Sequence, residues 1–384
     1  MYLAEFLCVS GTVMAESKEL TMADVYGQRR ERLREFLRAG GLSCFLVTDA
    51  ASRYYFSGFE LHDPQCNESA GRLIVGADGE DWLCTDARYL DAARRLWPAE
   101  NIFIYSAESA LDMGKFFTGR LSGVLGFEAK SVSLAWWEVF YGNIRGVTMR
   151  QVDGLLARLR VIKDADELDR MRRSCALNEA MMRWLPGFLR EKEGLDEASL
   201  AWAIERYFRE HGATELAFAS IVAFGKNGAL PHAIPSPAVS VAAEGPLLVD
   251  VGCRLDGYCS DQTRVFWVGE RPSDVYQKNL DRVREAQRRA IAAIRPGVPA
   301  CTIFQKAWDY FVSEGCEHAF THSLGHGVGL ETHEAPSLNA RAETLLEPGM
   351  VVTVEPGLYY PEWGGVRWEY MVVVTDDGCE ILGS

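Results

Sequence analysis

The sequence predicts an α+β fold class: an α/β layer domain, then a larger domain in which helices cover a curved antiparallel sheet. Three observations predict it. Strand-like and helix-like segments alternate through the first 150 residues, the pattern of a layered α/β unit. A long one-sided helix with its own start signal follows Lys163. Beyond it, hairpin and strand patterns alternate with helices, and the strands carry the unusual polar residues. A length of 384 residues accommodates both units with full cores.

In chain order, Ala23 to Ala39 reads as an amphipathic helix stopped by Gly40-Gly41. Short apolar runs at Cys44–Val47, Leu73–Val75, Trp82–Cys84, Ile102–Tyr105 and Val124–Phe127 read as strands, with helices near Ala87–Leu96 and Leu134–Tyr141. Gly76-x-x-Gly79 is a turn, not a nucleotide loop. Asp164 caps the next helix with Glu167 three residues on, the capping-box spacing, and Leu168, Met171, Cys175 and Met182 mark one packed face. Further helices are expected over Ala198–His211, Ser273–Ile294 and Thr302–Ser313, the second closed by Pro296-Gly297. The expected division is an extension over 1–22, poorly ordered, a first domain over 23–154 and a second over 155–384.

Composition narrows the function classes. A net charge of −14 argues against a nucleic-acid partner, which needs a basic patch. No apolar run approaches a membrane span. Met1 to Ala15 is mildly apolar but lacks a basic start and carries Glu5, so it does not read as a signal peptide. Ten scattered cysteines without a C-x-x-C pair read as reduced, buried thiols, and the expected location is the cytoplasm.

Chemistry concentrates in four segments of the second half. Asp256-Gly257 predicts a two-residue hairpin turn, which sets Leu255 against Tyr258 and Asp250 against Thr263. Asp261 then lies diagonally across from Asp250 on one face, where two carboxylates repel unless a cation sits between them. His322, His326 and His333 fall within twelve residues, interleaved with Gly325, Gly327 and Gly329. Glycines permit close backbone approach and neutral imidazoles suit metal or substrate contacts. Val351–Val354 is an apolar strand ending at Glu355, and Gly365–Val374 reads as one strand presenting Arg367 and Glu369 on one face. A surface Arg–Glu pair is the bland alternative for these last two. Four carboxylates and one imidazole match two divalent cations with a bridging hydroxide, which predicts a hydrolase. The oxygen-rich donor set favours Mn²⁺, with Co²⁺ or Zn²⁺ also suited.

These motifs resemble those of the pita-bread metallopeptidases, the creatinase/aminopeptidase P/prolidase family. The resemblance rests on Asp250-Val251-Gly252, Ser260–Arg264, His322–His333, Glu355-Pro356-Gly357 and Arg367-Trp368-Glu369, in order. In the first half it rests on Tyr55–Phe59 and Thr85–Tyr89, with Leu159–Asp164 resembling the family's domain junction. It implies a pita-bread catalytic domain behind a creatinase-like domain. It implies Asp250 as a terminal ligand of one metal, Asp261 and Glu369 as bridging ligands, and His326 with Glu355 completing the other. Glu355 would also shuttle the proton, His322 and His333 would contact substrate and oxyanion, and His232 would lie on the substrate side with Arg367 in support. The implied activity is hydrolysis of an Xaa-Pro bond at the N-terminus of dipeptides or short peptides by a homodimer. The alternatives are the same cage acting on a non-peptide substrate, and an inactive partner-binding homologue. One departure stands out: an acidic or amide residue normally follows the last glutamate, and here it is Tyr370.

Overall fold

The computed structural model describes residues 22–63, 65, 68–241 and 244–383. The expected extension therefore lies outside the described residues, except Met22, which opens the first helix.

The first unit holds helices α1 (Met22–Ala39), α2 (Ala50–Ser57), α3 (Leu90–Leu96), α4 (Ser109–Phe117) and α5 (Leu134–Asn143). They surround strands β1 (Cys44–Val47), β2 (Gly71–Gly76), β3 (Trp82–Asp86), β4 (Ile102–Tyr105), β5 (Gly123–Phe127) and β6 (Val147–Gln151), in the order β4-β3-β2-β1-β5-β6. The sheet is mixed: β1 and β3 run antiparallel to β2, while the outer pairs are parallel. The sequence pattern left out α2, α4 and β6. Helix α2 is only eight residues long, but Asp49 accepts from the Ser52 amide at 2.7 Å and Gly58 closes it at φ 72°.

Helix α6 (Leu155–Val161) lies at the junction, its Leu155, Leu156 and Leu159 packed in one core with Phe45 and Tyr55, and α7 (Ala165–Glu191) and α8 (Glu197–Glu210) open the second unit. The capping box of α7 forms in both directions: Asp164 accepts from the Glu167 amide and Glu167 from the Asp164 amide, each at 2.9 Å. Strands β7 (Glu215–Leu216), β8 (Ile221–Phe224), β9 (Gly245–Val251), β10 (Cys253–Leu255), β11 (Tyr258–Cys259) and β12 (Gln262–Val268) follow. Then come α9 (Asp274–Ile291), α10 (Ala300–Ser313), β13 (Gly325–Gly327), β14 (Glu334–Leu338), β15 (Val351–Val354), β16 (Gly357–Tyr360), β17 (Gly364–Arg367), β18 (Tyr370–Val374) and β19 (Cys379–Ile381). The pairings in this unit are antiparallel, in sheets ordered β12-β9-β8, β11-β10-β7, β14-β13-β15-β18-β19 and β16-β17.

Strand β9 shows why the layers form. Leu247, Val249 and Val251 pack with Met181, Leu185, Ile204 and Phe208 of α7 and α8. Leu248, on the opposite face, packs with Val283 of α9 and Ile303 of α10. Period-two alternation thus buries both faces, and Asp250 shares the face of Leu248. The hairpin register is as predicted: Leu255 opposes Tyr258 and Asp250 opposes Thr263, with Asp256 and Gly257 at φ 49° and 87°. Gly252 is required here, since a Cβ would lie 2.0 Å from the Ser260 carbonyl oxygen.

One expectation is corrected. Gly365–Val374 is not a single strand. Arg367 ends β17, Glu369 falls in the break, and the chain enters a different sheet at Tyr370. The break is held where the Glu369 amide donates to the Thr263 carbonyl at 3.2 Å.

Candidate metal centre

Each element delivers one part of the site. Asp250 comes from the next-to-last position of β9, and Asp261 from the residue before β12 on the other hairpin arm. His326 is central in β13, Glu355 directly follows β15, and Glu369 sits in the break between sheets. They converge: ligand atoms of Asp261, His326 and Glu369 lie within 4.8 Å of one another. His326 Nε2 is 3.7 Å from Asp261 Oδ2 and 3.3 Å from Glu355 Oε1. Arg367 reaches the same cluster at 2.6 Å from Asp250 Oδ2.

The electrostatics are those of a cage short of positive charge. Burial and the neighbouring Glu369, Asp250 and Glu355 carboxylates push Asp261 well above the usual carboxylate range. Burial followed by Glu355 and Asp250 does the same to Glu369. Asp250 is also raised, by burial, despite Arg367. Glu355 moves the other way: burial opposes its charge, but the hydrogen bond from His326 and the charges around it keep it below the ordinary value.

The donor set fits divalent cations. Four buried carboxylates against one engaged guanidinium leave a negative excess that low-dielectric surroundings do not tolerate without cations. Asp250 Oδ1 is buried and accepts no hydrogen bond among the described residues, so a lone pair is left for a ligand. His326 places its Nδ1 3.0 Å from the Gly327 carbonyl, which orients the ring and turns Nε2 toward the Glu355 and Asp261 carboxylates.

A hydroxyl network supports the cage. Thr263 Oγ1 donates to Glu369 Oε2 at 2.7 Å and accepts from Arg367 Nε at 3.0 Å. Arg367 Nη1 donates to the Tyr359 hydroxyl at 2.7 Å, and that hydroxyl faces His322 Nε2 at 2.8 Å. Thr353 Oγ1 receives the His326 amide and donates to Glu355 Oε1. Sequence reasoning missed Thr263, Tyr359 and Thr353 as functional residues, although the hairpin register had already placed Thr263 opposite Asp250. Arg367 and Glu369 do not form the surface pair of the bland alternative. Both are buried and are linked through the Thr263 hydroxyl rather than paired directly.

Above the cage opens a cavity of about 440 Å³. Its walls include His232, His322 and His333, and an apolar side of Phe218, Ile221, Pro231, Ile234 and Pro235. Burial lowers the basicity of His322 and His333, so both are neutral near neutral pH. The His333 ring packs on His326 with centroids 4.2 Å apart. His322 has both nitrogens engaged, Nδ1 at the Ser323 carbonyl (2.7 Å) and Nε2 at Tyr359. Tyr370 bonds to no ligand: its ring lies 4.4 Å from the Arg264 guanidinium, which donates to the Glu369 carbonyl at 2.6 Å. The glutamate therefore takes its side-chain support from Thr263.

Fold and site together define a metal-dependent hydrolase with an inward-facing carboxylate–imidazole cage. Residues 169–376 match the model of metallopeptidase family M24, and residues 29–162 match the creatinase/prolidase N-terminal domain. The chain belongs to metallopeptidase family M24: it is a peptidase whose family works with divalent metal ions. It is 33% identical over 351 residues to the uncharacterized peptidase YqhT of Bacillus subtilis, covering 91% of this chain and 95% of that protein. Its fold superposes on an Xaa-Pro dipeptidase from Bacillus anthracis with TM-score 0.85 and 32% identity, covering 94% and 98% of the two chains. An X-Pro aminopeptidase from Thermotoga maritima gives TM-score 0.81 and 29% identity over 93% and 97%. Among the described residues no helix is long and apolar enough to cross a membrane.

Proposed function

We propose that the chain hydrolyses the Xaa-Pro bond at the N-terminus of dipeptides or short peptides, using two divalent ions, Mn²⁺ first among them. The observation that carries this reading is the convergence of Asp250, Asp261, His326, Glu355 and Glu369 beneath a cavity walled by rings and imidazoles. Asp250, Asp261, His326, Glu355 and Glu369 would hold the ions. Bound divalent ions supply an activated water and polarise the scissile carbonyl. The neighbouring solved structures named for Xaa-Pro dipeptidase and X-Pro aminopeptidase activity support the substrate class.

The chain's own residues divide the remaining work. Glu355 is the carboxylate kept ionised by His326, so it accepts the proton of the attacking water and passes it to the leaving nitrogen. A neutral His333 donates to the oxyanion as the carbonyl becomes tetrahedral. His322, turned to Tyr359, borders the substrate and fixes that wall, while His232, also lining the cavity, contacts the peptide. An Xaa-Pro amide nitrogen carries no hydrogen, so recognition falls to shape. Phe218, Pro231 and Pro235 offer the apolar surface for a pyrrolidine ring.

The test is Mn²⁺-loaded protein with Ala-Pro and Ala-Pro-Ala. Free alanine from either peptide is the expected result, and the ratio of the two rates separates dipeptidase from aminopeptidase behaviour. Silence on both, with turnover of non-peptide C–N substrates, would move the same cage to another reaction.

A further inference from the structure

The junction motif Leu159–Asp164 has no part in the chemistry above, yet it supplies two buried cations. Arg160 ends α6 in the helix's last turn, and Lys163 follows it. Their side chains are 6% and 1% exposed. Both point at one carboxylate, Glu334, which is 171 to 174 residues away in sequence. Lys163 Nζ lies 3.1 Å from Glu334 Oε2, and Arg160 Nη2 bonds Glu334 Oε1 and, at 2.6 Å, Glu331 Oε2. Arg160 also reaches back into the first domain, to Ser52 Oγ at 3.3 Å and Asp49 Oδ1 at 3.5 Å, at the cap of α2.

Glu334 directly follows His333 and begins β14. It opposes Gly327 where the β13–β14 register shifts, next to His326. The loop from Gly327 to Glu331 closes around its carboxylate. A Cβ on Gly329 would meet that carboxylate at 2.7 Å, and the Glu331 amide donates to it at 3.1 Å. The His333 ring rests on His326 with its outer side exposed, so its placement depends chiefly on the backbone at either side. Thr332 is fixed there by the Ala217 carbonyl at 2.9 Å, and Glu334 by the two cations. Burial opposes the Glu334 charge, but Arg160 and Lys163 outweigh it and bring the carboxyl to about 2, so the clamp stays charged throughout the neutral range.

We propose that Arg160 and Lys163 are positioning residues: through Glu334 they set the place of His333 over the cage and link it to the docking of the first domain. This rests on the substrate-side role proposed for His333. The geometry favours it because an imidazole misplaced by about 1 Å costs roughly 100-fold in rate, whereas the clamp lies too far inside to touch substrate.

The test compares Lys163→Met with Lys163→Arg in the full-length, metal-loaded chain. Three readouts are taken: kcat and KM on Ala-Pro-Ala, bound metal, and, with diamagnetic Zn²⁺ as the metal, the imidazole nitrogen resonances of His333, assigned by their loss in His333→Asn. The expected result for Lys163→Met is a fall in kcat of roughly 10- to 100-fold, with KM and bound metal within about threefold. The His333 resonances shift, and Lys163→Arg restores both. A lowered melting temperature with unchanged kcat and unmoved His333 resonances would reduce the clamp to a structural role. If Lys163→Met does not fold, Glu334→Asp keeps the charge but shortens the reach, and the same two results decide. If the wild-type protein cleaves no Xaa-Pro peptide, the proposed substrate fails, while the resonances still report on positioning.

Discussion

Two buried charge clusters meet at the β13–β14 pair, which carries His326 of one and Glu334 of the other, and are built on opposite terms. In the cage, Asp250, Asp261 and Glu369 are raised by burial and mutual repulsion, and a guanidinium, Arg367, pairs with Asp250 alone of the three. In the junction clamp, Glu334 meets two cations and is driven down to about 2. The clamp is compensated by protein alone. The cage is left incomplete, and incompleteness of charge is what marks it as a place for ions. Burial alone does not separate the two, because both are sequestered; the sign of the shift does.

The sharpest way to break the comparison is to remove one like charge from the cage. Asp261→Asn relieves repulsion, so the metal-free protein melts at a higher temperature than metal-free wild type. The same change removes a ligand of the proposed ions. Activity on Xaa-Pro peptides falls by more than about 100-fold, the range already reached by losing an outer partner of a metal ligand. The melting-temperature rise on adding Mn²⁺ shrinks as well. Thermal melts with and without Mn²⁺ check both signs. A variant destabilised without metal would mean that the cage is not repulsive.

Glu334→Gln is the matching experiment on the clamp and has the opposite sign. Removing the carboxylate leaves Arg160 and Lys163 buried without it, a loss of about 3–5 kcal/mol by the usual cost of breaking a buried pair. Glu334 has a folded value of about 2 against an ordinary 4.5, so its stabilisation is present above about 4.5 and is lost as pH falls toward 2. Urea titrations across that window should show the wild type converging on the variant at the acid end. A gap that stays constant with pH would assign the loss to packing.

Legibility follows the same division. The five cage residues stood out in sequence because a carboxylate or imidazole inside an apolar strand is costly without a purpose. Asp250 and Asp261 were even paired correctly, since Asp256-Gly257 fixed the register. The clamp could not be assembled that way: Arg160 and Glu334 are 174 residues apart, and a junction helix gives no hint of its partner. The change of sheet at Trp368–Glu369 was hidden for another reason. Gly365–Val374 has a continuous β pattern, and tertiary bonds break it: the Glu369 amide to Thr263, and Gln287 and Arg264 to the Trp368 and Glu369 carbonyls. Neutral hydroxyls carried the least signal, because Thr263, Thr353 and Tyr359 are ordinary strand residues.

Tyr359 tests how much that hidden layer matters. Its hydroxyl links Arg367, and through it Asp250, to His322. Tyr359→Phe keeps the ring and loses both bonds, leaving Arg367 with one donor unmet and His322 free to turn. The expected result is a roughly tenfold lower kcat with full metal occupancy, the lower end of the usual outer-partner effect. Steady-state kinetics beside metal analysis check it. Loss of metal instead would place Tyr359 in the cage's own support.

Tyr370, the departure from the family pattern, should have the smallest effect. Its position beside Glu369 invites the view that it weakens the ligand, but the two side chains leave the strand break in different directions. Glu369 goes inward to Thr263, and the Tyr370 ring lies against Arg264, which Trp368 flanks at 4.6 Å. Arg264 in turn holds the carbonyls of Thr263 and Glu369 at 2.9 and 2.6 Å. What the ligand takes from Tyr370 is therefore an aromatic face that steadies a guanidinium, worth about 0.5–1 kcal/mol where partly exposed. Tyr370→Phe keeps that face and should leave kcat, KM and metal content within about twofold. Tyr370→Ala should lower the melting temperature by a few degrees with metal still bound. A large loss of metal in the phenylalanine variant would show that the hydroxyl, not the ring, supports the last ligand.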